Sequence, residues 1–188
     1  MPKSWRMFCR VAMLLPALQV MASDREFLRF TPEARPAWQA IDDGVMGGLS
    51  RSEARITAHG TLLFAGVVSL ENNGGFASIR SLPAPLDLAR ARSLRLEVKG
   101  DGKRYKLNLR TSTDFDGVQY QTSFDTVAGD WSAVTLPFAD FRPTFRGRPQ
   151  PQAPALDPAK VVTVGLMIAD RQAGPFALEV RSFRAVSD

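Results

Sequence analysis

Two glycine-rich stretches hold most of the residue types that could meet a ligand. In DDGVMGGLS, residues 42–50, two carboxylates sit among Gly44, Gly47 and Gly48. Glycines crowded like this either cradle a phosphate or let the chain turn tightly. A dinucleotide fingerprint needs G-x-G-x-x-G and a phosphate loop needs G-x-x-x-x-G-K-[ST]. Neither spacing occurs, no lysine follows, and no helical pattern comes after. The stretch therefore reads as a structural motif of Asp43, Gly44, Met46, Gly47 and Gly48. Gly47-Gly48 supplies unusual backbone angles or a close approach between strands, and Met46 fills an apolar gap. ENNGGF, residues 71–76, has the same character. Asn72 and Asn73 tolerate the left-handed region, and Gly74-Gly75 turns the chain ahead of FASIR. With Arg80 nearby, Asn72 and Asn73 are also candidates to bind a sugar or a peptide backbone.

Catalytic patterns are sparse. His59, the one histidine, precedes Gly60 in TAHGTL, a hairpin-tip context that suits a solvated residue better than a base. No G-x-S-x-G elbow exists to pair with it. Paired carboxylates for glycosidase chemistry depend on spatial separation, and the acids here fall mainly in turn-like segments. DFDG, Asp114 to Gly117, echoes the start of a calcium loop without the full pattern; a structural calcium is the lesser alternative to an ordinary hairpin. No catalytic residue, metal-ligand set or cofactor is assigned.

Binding residues are better represented. FADFRPTFRGR alternates Phe138, Phe141 and Phe145 with Arg142, Arg146 and Arg148. The phenylalanines could pin a loop under a sheet edge, with the arginines solvated or paired to acids such as Asp140 and Asp170. Equally, arginine beside aromatics is the composition of a protein or ligand contact. Polar rows Asn108-Arg110 and Gln119-Gln121 could face each other across a hairpin, as a carbohydrate platform or as wet surface.

The elements that must position these residues are strands. SLRLEVKG, RYKLNLR, VQYQTSF and PFALEVRSF alternate apolar and polar residues with period two, the mark of a strand with one buried face. TLLFAGVVSL and VVTVGLMIA are continuous apolar runs that suit strands covered on both sides or at a sandwich centre. Asp101-Gly102 suits a type I′ hairpin turn between two alternating runs, and DFDGV repeats the device. DLARAR offers one helical turn at most. Residues 142–160, rich in proline, read as a long ordered loop. Eight or more short strands with turn signals make an all-β sandwich or barrel.

Bulk numbers fit one domain: 188 residues, 45% hydrophobic and 23% charged, an ordinary globular balance. Residues 1–22 order Lys3, Arg6 and Arg10, then a 12-residue apolar run, then Val20 and Ala22 as a small-residue cleavage site. This is a secretory signal peptide pattern, too short for an ordinary membrane span, with an uncleaved anchor as second choice. The expected mature chain, 23–188, is exported and periplasmic, with no transmembrane segment. It lacks the one cysteine, Cys9. Without the leader's three basic residues, 21 basic face 19 acidic residues, a net charge of +2. That near-balance gives no reason to expect nucleic acid as a partner.

The blocks DDGVMGGLS, SLENNGGFASIRS, VKGDGKRYKLNLR, YQTSF, WSAVTLPFADFRPTFRGR and VGLMIADRQAGPF occur in the order seen in the complex I intermediate-associated protein 30 family. The resemblance runs from Trp38 to Phe183. It implies a galactose-binding-like jelly-roll β-sandwich and a non-catalytic, chaperone-like accessory factor for respiratory complex I. The expected partner is a protein, such as a complex I subunit, bound through a sheet face or the arginine-rich loop. The alternative is a periplasmic carbohydrate-binding module. That reading requires two of Trp38, Tyr105, Tyr120 and Trp131 exposed on one concave face beside Asn108 or Gln121.

Overall fold

The structure is a computed structural model that describes residues 24–28, 30 and 38–187; the 1–22 leader expected from sequence lies outside them. Its strands are β1 (Asp24–Leu28), β2 (Trp38–Ala40), β3 (Arg51–Ile56), β4 (Leu62–Val68), β5 (Ala77–Ser81), β6 (Ser93–Lys99) and β7 (Arg104–Arg110). They continue with β8 (Gln119–Asp125), β9 (Trp131–Pro137), β10 (Arg142–Phe145), β11 (Arg148–Pro149), β12 (Thr163–Ile168) and β13 (Gly174–Val186). The first sheet runs β3-β4-β13-β6-β9, with β1 also paired to β13; the second runs β11-β10-β8-β7-β12-β5-β2. All the strand pairings are antiparallel.

Period-two burial builds the core between the sheets. Leu94, Leu96 and Val98 of β6 and Leu178 and Val180 of β13 are fully buried from one side. Tyr105, Leu107 and Leu109 of β7, with Val164, Leu166 and Ile168 of β12, close it from the other. Each such aliphatic side chain contributes about 1.5–3 kcal/mol by leaving water. Phe64, Tyr105, Phe124 and Phe176 form one ring cluster. The Tyr105 hydroxyl donates to Asp101 Oδ1 at 3.0 Å. Burial, followed by the Asp101 charge, pushes that phenol well above its ordinary range.

Two turn readings change. Asp101-Gly102 makes no hairpin, because β6 belongs to the first sheet and β7 to the second. The dipeptide carries the chain across the sandwich, with Gly102 at φ +85°; it fixes a local bend, not the sheet its next strand joins. Residues 142–160 are not simply a loop either. They begin with the β10–β11 hairpin, turned by Arg146 and Gly147 at φ +47° and +74°. Pro149 is tolerated because β11 is the edge strand of its sheet.

Candidate functional site

A buried carboxylate, Asp43, and its half-buried neighbour Asp42 explain the glycine-rich blocks. A short 3-10 turn, Asp43–Met46, tips Asp43 inward to zero exposure. Its Oδ1 accepts the Ser50 N–H at 2.9 Å, and its Oδ2 accepts the Ser50 hydroxyl at 2.5 Å, the Gly75 N–H at 2.7 Å and the Phe76 N–H at 3.2 Å. Asp42 accepts from Ser52 N–H and hydroxyl, both at 2.7 Å, and from Ser78 N–H at 3.0 Å. Burial by itself would raise the Asp43 carboxyl. The hydrogen bonds from Ser50, Gly75 and Phe76 outweigh it and hold the group below the usual carboxylate range. Glycine is required where the backbone hugs this carboxylate. A Cβ on Gly48 would lie 2.4 Å from Asp43 Cγ, and one on Gly74 2.7 Å from Asp43 Oδ2.

One expectation at this motif is overturned. Met46 fills no gap. The turn that buries Asp43 directs Val45 and Met46 outward, 70% and 60% exposed. At Gly44 a Cβ would meet nothing within 4 Å, so no steric demand for glycine exists there. Asn72 and Asn73, at φ +52° and +59°, form the exposed turn before Gly74.

The remaining candidates gather on the outer face of the second sheet. Strand register aligns Gln39, Arg80, Gly165, Asn108, Gln121 and Arg142 in one row across six strands. Gln121 Nε2 donates to Asn108 Oδ1 at 2.8 Å, and Gly165 leaves a gap in the row between Arg80 and Asn108. Gln119 lies beside Thr144 one step along. Arg142 donates to the Ala139 carbonyl at 2.6 Å, and Arg146 grips Asp116. Asp140 and Asp170 are therefore not their partners; Asp170 takes Lys106 instead. Arg148 is exposed on β11.

Arg80 and Arg110 are the electrostatic centre of this face. Arg110 is 7% exposed. Its Nη1 reaches the Asp114 carbonyl only at 3.5 Å, and its buried Nε has no partner. Arg80 donates to the Phe115 carbonyl at 3.2 Å and lies 5.6 Å from the centre of that ring. Burial, then the charge of Arg110, push the Arg80 guanidinium down to about 10, with Asp116 opposing. The hydrogen bond from Arg146 holds the Asp116 carboxyl low, assisted by the charges of Arg146, Arg110 and Arg80. Phe115 is 67% exposed and borders an open hollow of about 620 Å³ shared with Gln39, Ile41 and Val45.

Sequence reasoning missed Asp42, Phe115 and Asp116. The DD…S-x-S spacing, two adjacent acids facing two alternate serines, was a usable signal for Asp42. Nothing local marks Asp116 as the acid that three arginines share. The aromatic platform is not found among the described residues: Tyr105 and Tyr120 are buried, and Trp38 packs on Phe183. Trp131 lies on the first sheet, under the Arg181 guanidinium at 4.0 Å. His59 is exposed at the β3–β4 tip. Among the described residues, no three His, Cys, Asp or Glu side chains gather as metal ligands, and no helix is long and apolar enough to cross a membrane.

Comparison with known proteins adds three findings. The family model for complex I intermediate-associated protein 30 matches residues 28–180. Complex I intermediate-associated protein 30, mitochondrial, of Drosophila melanogaster is 26% identical over 79% of this chain and 58% of its own length. The protein of that name from Neurospora crassa is 31% identical over 66% of this chain and 51% of its own. The chain thus spans little more than half of either relative. Both are named as mitochondrial, which overturns the expectation of an exported, periplasmic chain. Among solved structures, a family 11 carbohydrate-binding module from Clostridium thermocellum superposes with a TM-score of 0.64 at 15% identity, covering 87% of this chain and 94% of that one. This likeness establishes the fold, an all-β sandwich of the galactose-binding-like type.

Proposed function

Because the chain belongs to the complex I intermediate-associated protein 30 family, we propose that it is a non-catalytic accessory factor in the assembly of respiratory complex I. It holds a partner protein on the outer face of the second sheet. The observation that carries this reading is the largely polar row from Gln39 to Arg142, which crosses six strands of the outer face while the neighbouring arginines outnumber their carboxylates. A face of this kind suits recognition rather than turnover. His59 stands alone on a hairpin tip, and Asp114 and Asp116 are engaged by Ser112 and Arg146.

The test uses the tagged full chain in its source cells. Complex I subunits are expected to co-purify from detergent-solubilised respiratory membranes, and deletion of the gene is expected to lower assembled complex I on native gels. Normal complex I after deletion, together with no subunit recovered on the tagged chain, overturns the reading.

A further inference from the structure

Three guanidinium groups, those of Arg80, Arg110 and Arg146, act on one carboxylate, Asp116. Arg146 already takes that carboxylate with two nitrogens. Arg110 is more than nine-tenths buried, yet its Nε lacks a partner. A guanidinium carries five donors, and a buried donor left unpaired costs about 1–3 kcal/mol. At Arg80, the Phe115 carbonyl is the acceptor that the described residues provide. Two adjacent cations with unused donors form an electrostatic vacancy for one more anion, in the planar fork geometry that matches a carboxylate.

The surroundings narrow the ligand's class. Phe115, Val45, Met46 and Leu49 are exposed by 67%, 70%, 60% and 48%. Phe115 and Val45 border the same hollow, which Arg80 adjoins through its contact with Phe115. Small inorganic anions have no use for this apolar rim, whereas a peptide carrying an acidic residue next to an apolar one would use both.

We infer that the Arg80–Arg110 pair is the binding site for a side-chain carboxylate on an acidic, apolar-flanked segment of the partner protein. This rests on the reading that the outer face of the second sheet is where a partner is held. Arg80 makes the contact, and Arg110 behind it supplies charge and holds Arg80 poised. Asp116, bonded to Arg146, acts as a built-in competitor whose charge partly offsets the pair until a partner's carboxylate reaches Arg80.

Fluorescence anisotropy with a labelled Phe-Asp-Glu-Leu peptide at low salt tests this in the full chain. Its Phe-Asn-Gln-Leu counterpart serves as control, with inorganic phosphate and a β-glucan tetrasaccharide as competitors. The acidic peptide is expected to bind, to weaken as salt rises toward 0.15 M, and to lose about tenfold in Arg80→Gln. Asp116→Asn is expected to strengthen binding about three- to tenfold, a gain that misfolding cannot produce. Equal binding of the amide peptide, no binding of the acidic one, displacement by the tetrasaccharide, or phosphate matching the peptide in affinity each overturns the site. Pull-downs separate the two readings. Complex I subunits recovered equally by wild type and Arg80→Gln leave the assembly role standing and remove the carboxylate site. If wild type recovers none but the peptide data hold, the assembly role falls alone.

Discussion

Ser78 and Arg80 are two residues apart on β5, and they belong to opposite kinds of polar centre. Ser78 helps fill the Asp42 carboxylate, and beside it Asp43 accepts four hydrogen bonds. At Arg80 and Arg110 the count is reversed, with cations in excess and a buried nitrogen unpaired. A fold satisfies the polar atoms it needs for its own stability, and almost all buried polar groups end up paired. The filled centre is therefore read as architecture and the unfilled one as a place for another molecule. Perturbing each should give opposite effects on stability.

The largest expected effect lies in the filled centre. Asp43→Asn turns a charged acceptor of four bonds into an amide that presents donors to N–H groups, and should cost about 2–4 kcal/mol in urea unfolding. Because the native Asp43 pKa is depressed, its contribution is complete at neutral pH, above the unfolded-state value. It is lost as pH falls from about 4 through the native value. The wild type should therefore lose stability in that window more steeply than Asp43→Asn. Gly48→Ala comes next. Its methyl would overlap the Asp43 carboxylate at 2.4 Å and should cost about 1–3 kcal/mol. If both variants unfold like wild type, the clamp is not architecture and the contrast collapses.

In the unfilled centre the sign should reverse. Arg110→Met removes a buried cation whose neighbour is another cation and keeps most of the stem's packing. Stability is expected to hold or rise by about 1 kcal/mol, read by thermal melting. A loss above about 2 kcal/mol would instead make Arg110 part of the framework, and its unpaired nitrogen would cease to mark a place for another molecule.

Physical range explains which of these features were legible in sequence. Strands β6, β7, β8 and the start of β13 declared themselves because one-sided burial writes period two directly into the chain. β2, with three residues, and β11, with two, pair only because a partner strand is already there. The glycines of the clamp were visible, but their reason was not: Asp43 meets Gly75 and Phe76 across more than thirty residues. Arginine on a polar strand row was read as exposed. Its burial at 110 depends on where the segment between β7 and β8 folds back, and no local signal carries that. Met46 misled for the opposite reason, an apolar residue being assigned to the core by type alone.

The smallest expected effect comes from a third group of charges, on the outer face of the first sheet. There Arg184 donates to Asp24 Oδ1 at 2.7 Å and to the Asp24 carbonyl at 2.8 Å, and Arg181 takes Glu97 while covering Trp131. These arginines, unlike Arg80 and Arg110, have acids of their own, and they are partly solvated. A double-mutant cycle of Asp24→Asn with Arg184→Gln should therefore return about 0.2–1 kcal/mol, shrinking as salt is added. The same pair of substitutions should leave binding of the acidic peptide unchanged, because a face whose charges are already matched has none to offer. Should peptide binding fall with this pair as much as with Arg80→Gln, local charge balance would not distinguish the two faces. The net charge of the chain would then be the better explanation of the affinity.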